Sequence, residues 1–315
     1  MAAQDLTPPK VDVVFQDLTP RRAAAGVWAG LLAMCWVTTV LAAPAQRIVT
    51  LAPSLTELTF AAGAGDRLTA TVEYSDLPEA ARKIPRIGDA FRVDMEKLLS
   101  LHPDLVLGWE GGTPAALLQR VAELGLRVEV IATYRLVDIS AAVRKIGVLA
   151  GTSGVAEAKA RQIESEIGSL VETYSARSPI AVFIEVDDQP LYTVNHRQII
   201  SQVVELCGGR NIFGDLPQLA PAIGMEAVIA RNPEVILSTD DTVEDAEGDW
   251  SRWPDVMAVR AGNIFTMSAN DIAQPTTRII AGARAVCAVL DRARANLAEL
   301  AFSRGKIAPA NLPGK

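Results

Sequence analysis

The chain has 315 residues, half of them hydrophobic and 21% charged, with a formal net charge of −7. That is enough polypeptide for two ordinary domains of a globular protein. The acidic balance excludes nucleic acid as the main partner, because phosphate binding needs a basic face.

The N-terminus reads as a targeting segment. Arg21 and Arg22 precede an apolar run from Ala23 to Ala43, and small residues follow at Ala42, Ala43 and Ala45. This layout is that of a secretory signal, with a single membrane anchor as the alternative. The preceding twenty residues are polar and long for the leading part of such a signal, which suggests a later start. Cys35 is not read as a lipid-attachment site, because Met34 stands where a small residue is required.

A strand is expected at Arg47 to Leu51, broken by Ala52-Pro53-Ser54. Ser54 and Glu57 have the spacing of a capping box, predicting a helix through Ala62 that Gly63 and Gly65 end. A strand follows at Leu68 to Val72, then a loop over 73–78. A helix is expected from Met95 to Leu101, a buried strand from Leu105 to Trp109, a helix from Pro114 to Leu124 and a strand from Val128 to Ile131. Alternating strands and helices with short connections imply a mainly parallel sheet.

Ile139 to Ala150 reads as helix, and a longer helical stretch runs from Val155 to Tyr174. There Ile163, Ile167, Leu170, Val171 and Tyr174 recur at helical spacing. Ser178-Pro179 ends that stretch. A strand is expected at Ile180 to Val186, helices at Arg197 to Cys207 and Met225 to Ala230, and strands at Val235 to Leu237 and Ile264 to Met267. Thr276 to Leu300 is the expected closing helix, with a frayed tail beyond Arg304.

An internal repeat organises this list. Met95-Glu96 opens a helix, and Pro103-Asp104-Leu105-Val106 leads into a strand. Met225-Glu226 opens another, and Pro233-Glu234-Val235-Ile236 leads into a strand. In both copies Pro stands seven residues after the Glu. The expected architecture is α/β: two Rossmann-like lobes joined by a single long backbone helix, with a ligand cleft between them. The expected division is a signal and extension at 1–45, an N-terminal lobe at 46–150, a linking helix at 151–178, a C-terminal lobe at 179–303 and a flexible tail at 304–315.

Catalytic motifs are missing from the sequence. The two histidines, His102 and His196, are isolated, so no zinc or non-haem iron cluster is expected. There is no nucleophile elbow and no Walker motif, and the Gly111-Gly112 and Gly208-Gly209 pairs serve as turns or caps. The chain is therefore read as a non-enzyme without a cofactor. Without Cys35 the mature chain keeps Cys207 and Cys287, which read either as a disulfide or as two buried thiols. Aromatic residues make up only 5% of the chain. Tyr74, Phe91, Trp109 and Tyr192 all fall in or beside loops after strands, where α/β sheets bind ligands. They suit a large, flat, partly apolar ligand. Trp250 and Trp253 are read as packing residues.

These residues carry a resemblance. From Arg47 to about Leu297 the chain resembles the helical-backbone class of periplasmic solute-binding proteins of ABC importers, above all the vitamin B12-binding family. The runs Val72-Glu73-Tyr74-Ser75-Asp76-Leu77-Pro78, Lys97 to Trp109, Gly111-Gly112 and Val203-Val204-Glu205-Leu206-Cys207-Gly208-Gly209-Arg210-Asn211-Ile212-Phe213 carry it. The resemblance implies a periplasmic, monomeric protein that captures cobalamin or a related corrinoid and delivers it to a membrane permease. It implies that Tyr74, Phe91, Trp109 and Tyr192 contact the corrin, that Glu96 and Glu226 dock onto the permease, and that Cys207 pairs with Cys287. Asn270 and Gln274 stand where the family pattern has Asp and Arg, Phe91 where it has Trp, and Ala220 where it has Trp. These departures keep haem or an iron siderophore as the alternative ligand, with Tyr74 as an axial iron ligand. Arg92, Arg135 and Arg197 are the cleft arginines available to an anionic ligand.

Overall fold

The computed structural model describes residues 43–239 and 250–306. The apolar run read as a targeting segment, with Cys35, lies outside them except for Ala43. The chain opens with β1 (Ile48–Thr50), α1 (Pro53–Ala61) and β2 (Leu68–Ala70), followed by α2 (Met95–Ser100), β3 (Leu105–Trp109), α3 (Ala115–Glu123) and β4 (Val128–Ile131). The four strands form one parallel sheet in the order β2-β1-β3-β4. β1 is wholly buried and β3 nearly so, as strands covered on both faces must be.

Two antiparallel helices follow, α4 (Leu136–Ala150) and α5 (Ser153–Tyr174), hinged at Gly151 in the left-handed conformation. The second half contains β5 (Ile180–Glu185), the hairpin β6 (Asp187–Asp188) and β7 (Leu191–Tyr192), α6 (Ile199–Leu206), β8 (Gly209–Asn211), α7 (Met225–Arg231) and β9 (Val235–Ser238). It closes with α8 (Met257–Arg260), β10 (Ile264–Thr266), α9 (Ala269–Ile272) and α10 (Ile279–Lys306). Its sheet is again parallel, in the order β10-β9-β5-β8.

If β5, β8, β9 and β10 are matched with β1, β2, β3 and β4, the two sheets have the same strand order. The sequence repeat falls on equivalent places, α2 into β3 and α7 into β9. The protein is therefore two similarly wound lobes joined by a long helix. One apolar core runs through both, from Ile48 and Leu107 through Ile146 and Ile163 to Val182 and Leu290. Smaller clusters cover the far face of each sheet, around Val106 and Val121 in the first and around Phe183, Phe213 and Trp250 in the second. Trp250 is buried against Phe183 and donates its indole N–H to Glu185, the packing role expected of it.

The expected capping box at Ser54 and Glu57 is corrected. α1 begins at Pro53, its N-cap is Ala52, and no side chain caps it. Glu57, only 8% exposed, instead takes two hydrogen bonds of 2.8 Å from the guanidinium of Arg278, which also reaches Asp271 at 3.0 Å. Glu57, the fifth residue of the helix, had a stronger, bidentate partner in the other lobe. α4 starts at Leu136, three residues earlier than Ile139, because Asp138 accepts the backbone N–H groups of Tyr134 and Arg135. α6 starts at Ile199, not Arg197, because the Gln198 side chain accepts the Ile200 N–H and so acts as N-cap. The closing helix starts at Ile279 and runs through Lys306, past the boundary read at Arg304.

Cys207 and Cys287 form a disulfide between α6 and α10. It spans 80 residues, a loop whose closure contributes about 4 kcal/mol in the chain-entropy model. Replacing both cysteines with alanine should lower the thermal midpoint by several degrees, and dithiothreitol should lower the wild-type midpoint by a similar amount.

Arg144 on α4 bridges Glu157 and Glu164 on α5. This guanidinium, helped by the Ser140 hydroxyl at 2.8 Å, holds the Glu164 carboxyl down to about 2 from an ordinary 4.5. A depressed folded value means that the stabilisation is complete above about 4.5 and is lost as the pH falls towards 2. The pair is partly exposed, so its worth is screened to about 1 kcal/mol or less. Glu164→Gln should melt slightly below wild type at pH 7, and the two melting curves should converge between pH 4.5 and 2.

Candidate functional site

In a parallel sheet the loops after the strands gather on one edge, and a ligand binds in the crevice they form. Both lobes turn such loops towards a common space. A cavity of about 580 Å³ there is lined by Tyr134 and Arg135 from the end of β4, by His196, Arg197 and Gln202 around the start of α6, and by Leu219 after β8. Its walls are mostly apolar. A narrower cavity of about 100 Å³ joins Trp109 and Thr133 of the first lobe to Ile199, Leu219 and Pro275 of the second. The larger volume is in the range of small-molecule sites.

Gln202 spans the gap, donating to the Tyr134 carbonyl at 2.8 Å and accepting from the Leu136 N–H at 3.2 Å. With the Glu57–Arg278 pair, it ties the two lobes by side chains at two separate points.

Trp109, the last residue of β3, is fixed from several sides. Its indole N–H donates to the Thr133 hydroxyl at 2.9 Å, and its backbone N–H donates to Thr113 at 3.0 Å. A Cβ on Gly111 would stand 2.7 Å from the indole, and one on Gly112 would stand 2.6 Å from it. The glycine pair therefore allows the turn to wrap against the ring.

Tyr74 has φ 64°, rare for a residue with a side chain, and is 83% exposed. Its neighbours are tied down: Ser75 accepts from Thr71 at 2.8 Å and, through its carbonyl, from Arg86 at 2.8 Å. Thr71 belongs to a buried hydroxyl cluster with Thr50 and Thr56. The ring is thus presented to solvent by an anchored loop.

Phe91 is 72% exposed on the loop between Gly88 and Val93, which pair as an antiparallel bridge. Asp89 accepts the N–H groups of Phe91 and Arg92 at 2.7 Å each, and these bonds hold its carboxyl below the usual range. Tyr192 is half-buried in β7, beside Asp187 and Ala222. Asn270 and Gln274 hydrogen-bond each other at 2.9 Å.

Of the expected ligand residues, only Trp109 lines either of the two cavities described. Tyr74, Phe91, Tyr192, Asn270 and Gln274 do not. Thr133, Tyr134, His196 and Leu219 line them without having been singled out as binding residues, whereas Arg135 and Arg197, expected as cleft arginines for an anionic ligand, do line the larger one. Tyr134 follows β4 directly, so the rule that selected Trp109 would have found it. Leu219 had no local signal, because the chain around it is irregular. Among the described residues, no group of three His, Cys, Asp or Glu side chains is placed to hold a metal. His102 is an exposed, left-handed residue just past α2, and His196 donates from Nδ1 to the Gly214 carbonyl at 2.7 Å.

Glu96 and Glu226 occupy the same position, the second residue of α2 and of α7, and both are exposed. A carboxylate is favoured there by the helix dipole. Because these helices run back along parallel strands, both glutamates stand on the edge of the lobes that carries the cleft.

Comparison with known proteins agrees with this geometry. Over 245 residues the chain is 30% identical to the vitamin B12-binding protein of Vibrio campbellii, covering 78% of this chain and 89% of that one. The crystal structure of the periplasmic vitamin B12 binding protein BtuF of Vibrio cholerae superposes with a TM-score of 0.75 at 30% identity, covering 80% of this chain and 98% of that one. The periplasmic heme binding protein HutB of Vibrio cholerae shares the fold, with a TM-score of 0.69 at 20% identity over 78% of this chain and 98% of that one. The family model for periplasmic binding proteins matches residues 48–270, and the chain belongs to that family of solute binders.

Proposed function

We propose that the protein captures cobalamin or a related corrinoid between its lobes and delivers it to the inner-membrane permease of an ABC importer. The observation that carries this reading is Trp109, locked by Thr133 and two glycines so that its ring forms part of the wall between the lobes. A fixed ring loses little entropy when a flat ligand stacks on it. Exposed Tyr74 and Phe91, on anchored loops of the same edge, supply further apolar surface. Tyr192, Asn270 and Gln274 belong to the second lobe's side of the same reading. The likeness to vitamin B12-binding proteins favours a corrinoid as the occupant.

The paired positions of Glu96 and Glu226 support docking of both lobes onto a permease, with the two carboxylates giving orientation and steering. Export to the periplasm by the N-terminal segment, with the protein acting as a monomer, completes the proposal.

Isothermal titration of the mature protein with cyanocobalamin should give saturable one-to-one binding. Trp109→Ala should weaken it by about 2 kcal/mol, roughly thirtyfold, provided the variant melts like wild type. Binding of haemin with no heat from cyanocobalamin or cobinamide would move the assignment to haem and make Tyr74 the residue to test as an iron ligand.

A further inference from the structure

The larger interlobe cavity has a chemical character that stacking on aromatic rings does not explain. Arg135 from the first lobe and Arg197 from the second both line it, within walls otherwise mostly apolar, in a chain whose net charge is −7. Arg135 is partly committed: its Nε and one terminal nitrogen donate to Asp138 at 3.2 and 2.9 Å. Arg197 is less so. Its side chain donates to the Pro217 carbonyl, and no salt bridge joins it to a carboxylate among the described residues. Its backbone is fixed, since its N–H donates to the Asn195 side chain at 2.9 Å. His196 lines the same cavity and donates from Nδ1 to the Gly214 carbonyl. The acidic groups nearby are Asp138, bound to Arg135, Glu110, which acts on Tyr134, and Glu205 near the C-terminal end of α6, whose carboxyl is pushed up by burial and pulled down by His196.

Both arginines are exposed to solvent, and their forked donors match phosphate or carboxylate oxygens, so an anion held between them would gain charge-assisted hydrogen bonds from both lobes. An overall acidic protein repels anions at long range, so recognition must come from this local pair within a Debye length.

We infer that Arg135 and Arg197 form a two-lobed subsite for an anionic group carried at the edge of the ligand. Resting on the corrinoid reading, this group is the phosphodiester of a complete corrinoid, so the protein selects cobalamins over corrinoids that lack the nucleotide loop. The stacking residues would treat both kinds alike, because the corrin is common to them.

The test is titration of wild type, Arg197→Gln and Arg135→Gln with cyanocobalamin, cobinamide and haemin at low and high salt. Arg197→Gln is the deciding variant, because Arg135 also supports the start of α4. Wild type should bind cyanocobalamin about tenfold more tightly than cobinamide, and Arg197→Gln should bring the two together by weakening cyanocobalamin alone. Added salt should weaken cyanocobalamin binding to wild type more than to the variant. Equal wild-type affinity for the two corrinoids, or an equal loss of both in Arg197→Gln, overturns the subsite while leaving the corrinoid reading standing. Failure of both corrinoids with binding of haemin overturns the corrinoid reading and the phosphodiester assignment together. An unchanged haemin affinity in Arg197→Gln would then remove the anion subsite as well.

Discussion

The contact between α4 and α5 is the constraint on which the rest of the protein depends. The helices approach so closely at Gly147 that a Cβ there would stand 2.2 Å from that of Ala156. Ala156 and Ala160 are both buried in this seam, and Arg144 closes its solvent side on two glutamates. Small residues set the spacing, and the apolar core then continues without a break from the first sheet into the second. Pulling the lobes apart would expose that core to water at about 25 cal/mol per Å² of apolar surface. The cleft is therefore a feature of a nearly rigid frame. Ligand binding has to be argued from what the frame already presents, more than from a large closure.

Two polar ties reinforce the frame. Glu57 and Arg278 join α1 to the turn before α10, and Gln202 bonds to the backbone on both sides of Arg135. The first also joins the chain to Asp271, one residue from Asn270. The late loop of the second lobe is thus held partly from the first. A side-chain change at Glu57 would alter the frame on which the ligand loops sit, without touching a ligand.

Much of this was legible because sheet strands and the long helix carry strong periodic signals. Leu105 to Trp109 was found as a buried strand, and the Met-Glu repeat mapped onto equivalent helices and strands. The misreadings came from competition between local and distant partners. Ser54 and Glu57 satisfied the local spacing of a cap, but Glu57 met an arginine more than two hundred residues away. β8 was missed because Gly209, Arg210 and Asn211 have neither β-branched residues nor alternation; its place as an edge strand comes from pairing with β5. The aromatic residues of the first lobe were visible from their position after strands. Leu219 was not singled out, because nothing in its neighbourhood says that the opposite lobe will approach.

The repeat and the cleft together explain how one duplicated scaffold yields an asymmetric site. The shared strand order places loops at equivalent edges in both lobes, and Glu96 and Glu226 keep the same helical position. The loops themselves differ. The first lobe brings Trp109 and Tyr134 to the cavities, whereas the second brings His196, Arg197, Leu219 and Pro275. Loops can diverge in this way because the sheets and the joining helices supply the folding energy, leaving the edge residues free to take on ligand chemistry. On the proposed reading, aromatic rings on one side and a guanidinium without a carboxylate partner on the other suit a ligand that is flat and apolar over most of its area and charged at one edge. On that reading the equivalent glutamates would meet a transporter symmetrically while the loops hold a ligand that has no symmetry at all.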